Sequence, residues 1–192
     1  MKKYPDEREC IEYLKDAGCR RRVIVHCCTV RAVAEQLVSR IDCDRELVVA
    51  GALLHDIGRS RDHSVFHAVV GADLLRDMGL PDEIVDIVRK HTGAGLDKQD
   101  IADMGLPDGD YIPKTIEEKI VAHSDNMVSD NTVVMHTHSV DKLKAKGAIR
   151  GANRIEKLHL ELSKLYGEDL DVVVRIIGEH PHLSGPCSKY LT

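Results

Sequence analysis

Leu47-Val48-Val49-Ala50-Gly51-Ala52-Leu53-Leu54-His55-Asp56-Ile57-Gly58 runs eight apolar or small residues straight into an imidazole and a carboxylate. A helix apolar on every side belongs at the centre of a bundle, not on its surface. Asp44 is placed to cap its start and Gly58 to end it. A carboxylate at the end of so apolar a helix costs free energy unless something positive meets it. Candidate partners lie far apart in sequence: His26 upstream, then His63, His67, His91 and Asp125 downstream. Such spacing draws its groups from several helices around one pocket, unlike the short loops of zinc-finger motifs.

The same helical reading extends in both directions. Asp6 to Asp16 predicts a short helix ended by Gly18, and Val23 to Ile41 a longer one carrying His26, with Val23, Val30, Val33, Leu37 and Ile41 at helical spacing. Ser64 to Met78 and Pro81 to His91 follow, closed by Gly79 and Gly93. Residues 93–115 form a Gly- and Pro-rich connection, expected to be a lid or pocket wall because of its length. Thr115 and Glu118 have the spacing of a capping box opening the helix that carries Asp125. Val140 to Tyr166 reads as one further helix, interrupted by Gly147 and Gly151 and with His159 in a packing role, and Leu170 to Glu179 as a last short one. The expected fold is an all-α bundle of about seven to eight helices, since no alternating strand pattern of any length occurs. It is expected to be one domain over residues 1–192, with a metal-binding core at about 23–128 and a C-terminal helical extension at 139–192.

Bulk properties narrow the function classes. The 192 residues are 43% hydrophobic but only 3% aromatic, with no Trp and one Phe, so Leu, Ile, Val and Ala must build the core. A net charge of -5 argues against dedicated nucleic-acid binding. No run of about 18 apolar residues predicts a membrane span, and no apolar segment follows Lys2-Lys3, so a cytoplasmic location is expected. The six cysteines lack CxxC spacing and read as reduced thiols.

Imidazole and carboxylate together suit one or two divalent transition metals (Fe, Mn, Co, Ni or Zn), whereas Mg prefers oxygen alone. His26, His55, Asp56 and Asp125 make one mixed set; His67 and His91 make a second, with Asp56 shared between them. His63, four residues before His67, is the alternative to it.

In that order on helices, His26, His55-Asp56 and Asp125 resemble the H…HD…D signature of the HD-domain metal-dependent phosphohydrolases. His55-Asp56-Ile57-Gly58 is similar to the HDIG subgroup named for that motif. His67, followed by Gly71-Ala72, and His91-Thr92 resemble the two extra histidines of dinuclear members, more distantly the bacterial diadenosine tetraphosphate hydrolases. The stretches 91–96 and 117–126 are similar to an archaeal group of HDIG proteins. The resemblance implies a single HD domain. It implies metal ligation by His26, His55, Asp56, His67, His91 and Asp125, with Asp56, Arg59 and His63 in the chemistry. Arg59, Arg61 and Lys119 are then expected to bind substrate phosphate. One departure stands out: the dinucleotide hydrolases carry an Arg a few residues past the last aspartate, where this chain reads Asn126-Met127-Val128-Ser129.

The function expected on this basis is a metal-dependent phosphoric ester hydrolase, a phosphatase or phosphodiesterase. Its substrate would be a small phosphorylated metabolite, a nucleotide monoester or cyclic phosphodiester. Alternatives are a dinuclear iron oxygenase of the HD type and a non-catalytic metal-holding sensor domain. The expected partners are that small substrate and a second copy of the chain, with neither nucleic acid nor membrane.

Overall fold

The structure, a computed structural model, describes residues 4–190. Its helices are α1 (Glu7–Asp16), α2 (Arg21–Val38), α3 (Arg45–Leu54), α4 (His67–Asp77), α5 (Asp82–Lys90), α6 (Lys98–Met104), α7 (Ile116–Asn126), α8 (His136–Ala145), α9 (Ile149–Tyr166) and α10 (Val172–Ile177). Two 3-10 turns lie at Ile57–Ser60 and Gly185–Tyr190. The one small sheet among the described residues pairs β1 (Val128–Ser129) antiparallel with β2 (Thr132–Val133), Val128 opposite Val133. The all-α reading holds. More helices form than expected because residues 93–115 contain α6 and the stretch 140–166 is two helices, not one.

α3 is the central rod. Asp44 accepts the Leu47 amide at its start, and Val48, Ala52, Leu53 and Leu54 lose all contact with solvent. It packs against α1, α2, α5 and α7. At Gly51 an added Cβ would lie 2.8 Å from Ile87, so the absence of a side chain lets α5 cross closely. α7 is opened by the capping box of Thr115 and Glu118. The other carboxylate oxygen of Glu118 accepts from buried Lys90 at 2.8 Å, fastening α7 to the end of α5. Removing one partner of such a buried pair costs about 3–5 kcal/mol because the other charge is stranded.

Several boundaries differ from the sequence expectation for local reasons. α4 begins at His67 rather than Ser64, since Asp62 accepts the Ser64 amide and Ser64 Oγ accepts that of Phe66, holding residues 62–66 in turns. The stretch 140–166 breaks at Gly147, whose φ is +76°, a conformation that favours glycine. α8 reaches back to His136, whose amide donates to Asp171. Residues 93–115 are not a cleft wall. Arg150 and Arg154 of α9 hold Asp97 and Asp100 of this segment, while Leu96, Leu106 and Tyr111 pack on Phe66.

Gly58 positions the site. A Cβ there would stand 2.0 Å from the His67 carbonyl oxygen and 2.6 Å from the Gly71 amide, both backbone atoms that cannot yield without moving α4. The 3-10 turn after Asp56 therefore lies directly against the start of α4. A Gly58→Ala variant is expected to lose about 1–3 kcal/mol, lowering the melting temperature by roughly 2–10 °C for a chain of this size. An unchanged melting temperature by calorimetry would show that the turn and α4 are not in contact.

Candidate metal centre

Asp56 sits just past the C-terminus of α3, and its two oxygens face different histidines. Oδ2 lies 3.8 Å from His26 Nε2 and 3.8 Å from His55 Nε2. Oδ1 lies 3.2 Å from His67 Nε2 and 3.6 Å from His91 Nε2. On the first side Asp125 completes the group, its Oδ1 2.9 Å from His26 and 3.5 Å from His55. One carboxylate thus stands between two clusters drawn from α2, α3, α4, α5 and α7.

Backbone carbonyls set the orientation of all four rings. Nδ1–H of His26 donates to Asp130 at 2.7 Å, that of His55 to Ala52 at 2.8 Å, that of His67 to Ser64 at 2.5 Å, and that of His91 to Val88 at 2.7 Å. With the proton on Nδ1, each neutral ring turns a bare Nε2 lone pair inward. Those lone pairs converge: His26 and His55 Nε2 atoms are 3.3 Å apart, and those of His67 and His91 3.0 Å. Facing lone pairs at that distance repel unless a proton or metal ion lies between them. Asp56 Oδ1 is buried and accepts no hydrogen bond, which leaves it equally in need of a cation. The donor set, its second-layer carbonyls and the orphaned oxygen all fit divalent metal.

The electrostatics agree. Burial pushes the Asp56 carboxyl up, yet the surrounding imidazoles, His55 first, then His67, His91 and His26, outweigh it and hold it well below the usual range. Asp125 is depressed in the same way, burial being overcome by His26 and His55. His91 goes down, chiefly through burial, with His55 and His67 adding to it. His26 goes the other way: burial lowers it, but Asp125, Asp56 and the Asp130 carbonyl raise it to about 9.

Of the two histidines four apart, geometry brings in His67; His63 remains exposed on the rim, where its carbonyl accepts from Arg59. Arg59 Nε donates to Asp56 Oδ2 at 2.5 Å, so it abuts the cluster. Arg61 and Lys119 are not in the cleft; Lys119 pairs with Glu161 at 2.7 Å instead. Cys27 stays out as well, buried, with burial driving its thiol up. The cleft over the cluster has a volume of about 760 Å³. Sequence reading missed its basic rim, Arg21, Arg22 and Lys142, for which no local motif exists. It also missed the Asp130-Asn131 hairpin turn, where Asp130 takes φ +55° and supplies the carbonyl that orients His26. Two polar turn residues between Val128-Ser129 and Thr132-Val133 were the only signal.

The HD-domain family model matches residues 23–130, more than half the chain. The chain belongs to the HD-domain family. A tRNA (cytidine(56)-2'-O)-methyltransferase of Picrophilus torridus is 45% identical over 175 residues, 91% of this chain and 51% of that protein. One of the same name from Thermoplasma volcanium is 42% identical over 173 residues, 90% of this chain and 51% of that protein. An uncharacterised protein of Methanocaldococcus jannaschii is 46% identical over 115 residues, 57% of this chain and 68% of its own length. The chain spans about half the length of the first two relatives. Their names correct the expectation of a phosphoric ester hydrolase acting on a small metabolite without nucleic-acid binding, because these proteins act on tRNA. The net charge of -5 sums the whole surface and so does not register a local basic patch such as this rim. No helix among the described residues is long and apolar enough to cross a membrane.

Two outcomes check the centre. In the metal-free protein the carboxylates of Asp125 and Asp56 hold His26 above the ordinary histidine pKa of about 6.5. Its stabilisation is therefore complete below that value and is lost as pH rises through about 9. Metal needs the neutral ring, so divalent-ion affinity measured by calorimetry should climb by up to about tenfold per pH unit below that point. A flat profile would exclude His26 from the metal set. Replacement of His67 by Ala is expected to lower bound metal by up to one equivalent in elemental analysis of the anaerobically loaded protein, against an unaltered value if His67 is only a packing residue.

Proposed function

We propose that the chain serves tRNA 2'-O-methylation as a metal-holding HD unit that receives the RNA. The observation that carries this reading is the union, in one open cleft, of the candidate metal cluster with Arg21, Arg22, Arg59 and Lys142. These cations come from α2, the 3-10 turn and α8, so they frame the cleft from separate elements. The exposed Arg21, Arg22 and Lys142 are free to meet phosphodiester oxygens along a strand, a contact that fixes register without reading sequence. Asn131 and Ser129, which line the same cleft, offer polar groups to ribose hydroxyls. Divalent ions held by His26, His55, Asp56, His67, His91 and Asp125 supply, when bound, fixed positive charge for a phosphate. Arg59, tied to Asp56 at 2.5 Å, orients the bridging carboxylate and presents its remaining N–H groups toward the cleft. The names of the relatives, methyltransferases of tRNA, supply the class of RNA.

Equilibrium binding of a full-length tRNA transcript to the metal-loaded chain tests the reading. Wild type is expected to bind, and chelation to weaken that binding. Replacing Arg21, Arg22 and Lys142 together by Ala should flatten the slope of log affinity against log salt by about 2–3, close to one per lost phosphate contact. Absence of tRNA binding, or an identical slope in the triple variant, would overturn it.

A further inference from the structure

A second imidazole cluster lies outside the HD centre. His136 opens α8, His159 sits in the middle of α9, and Asp171 directly precedes α10. One possible donor atom from each of these three lies within 4.8 Å of the others. The rings of His136 and His159 stack with centroids 3.5 Å apart and planes inclined by 17°. Asp171 grips His136 twice, Oδ1 accepting the backbone amide at 2.9 Å and Oδ2 facing Nδ1 at 3.0 Å. Asp169 brings a further carboxylate, its Oδ1 3.2 Å from His159 Nε2. Behind them His123 of α7 meets His159 Nδ1 through its own Nε2 at 3.1 Å. The His123 ring is wholly buried, and its Nδ1 has no hydrogen-bond partner.

We propose that His136, His159 and Asp171 form a second metal site, distinct from the HD centre, that takes one divalent ion of the imidazole-seeking kind: zinc, cobalt or nickel. Two imidazoles and a carboxylate match that preference, whereas calcium and magnesium require oxygen shells. The site is independent of the first. Positions 123 and 125 are two apart on α7, so their side chains leave the helix about 200° apart, His123 toward this cluster and Asp125 toward Asp56.

Donors about 2.0–2.1 Å from a tetrahedral ion stand roughly 3.3–3.5 Å from one another. Ligand atoms within 4.8 Å are near that spacing, but the stacked His136 and His159 rings must part and tilt before both lone pairs meet one ion, a shift of about 1–2 Å. His136 is the partner able to make it, since its side chain keeps 15% of its exposure while His159 is enclosed at 3%. His123 takes the part of the outer partner that fixes the tautomer of a ligating ring: it accepts His159 Nδ1–H and leaves Nε2 for the ion. Asp169 stands beside that Nε2 as a fourth donor. Three histidines and two aspartates converging from α7, α8, α9 and the segment before α10 are a costly way to fill a core, where each unpaired polar atom is penalised. A bound ion would tie α8, α9 and the segment before α10 together, with His123 linking them to α7.

The test is metal stoichiometry by elemental analysis on the full chain, loaded anaerobically with Zn(II) or Co(II), first in a His55→Ala/Asp56→Ala background that disables the HD centre. About one equivalent is expected to remain there, with the visible bands of four-coordinate Co(II). Adding His136→Ala should abolish both, and Asp171→Asn alone should weaken Co(II) binding by about 10–100-fold, with far-UV circular dichroism unchanged. If the background does not fold, wild type and His136→Ala are compared directly, and His136→Ala must hold one equivalent fewer. A folded background retaining no ion, or an ion count indifferent to His136→Ala, overturns the proposal.

Discussion

The structure is organised around one carboxylate. Asp56 stands at the end of the most buried helix of the bundle, with an oxygen toward each of two histidine pairs. A buried carboxylate in such a place is expensive even with Arg59 on Oδ2, and four inward lone pairs make the pocket more so. Divalent cations, when bound, would offset both costs together. Every element that reaches the pocket has to be placed to within fractions of an ångström for that exchange to work.

Much of the fold follows from that demand. The 3-10 turn at Gly58 presses against α4 and brings His67 to Asp56, while Glu118 caps α7 and also pairs with Lys90 just before His91. The β1–β2 hairpin exists on two residues per strand, and its turn carbonyl at Asp130 orients His26. These supports lie in turns and caps rather than in the motif residues. They decide which nitrogen of each ring points inward, hence whether the pocket can hold a metal at all.

The candidate ligands were legible because their chemistry is scarce and local. An apolar helix ending in His55-Asp56 advertises an unmet charge. Other parts were not legible. The stretch 140–166 carries one continuous apolar stripe, yet Gly147 in a left-handed conformation splits it, freeing α8 to swing His136 onto Asp171. Residues 93–115 look like a lid by length alone, but Arg150 and Arg154 bind them down from α9. His159 read as packing on its stripe; its partners His123, His136 and Asp169 come from other helices and connections, so periodicity has no means of finding them.

By itself the sequence determined the helical class, the central place of α3, and the residue types able to meet a divalent ion, because burial and helical periodicity are properties of short segments. The tertiary structure decided that His67 rather than His63 enters the cluster, that Asp56 faces both histidine pairs, and that Arg21, Arg22, Arg59 and Lys142 share a cleft with them. Those outcomes depend on distances between residues up to about a hundred positions apart, such as His26 and Asp125. Only the packing of helices fixes such distances. The net charge, a sum over all residues, had no way to register a basic rim on one face.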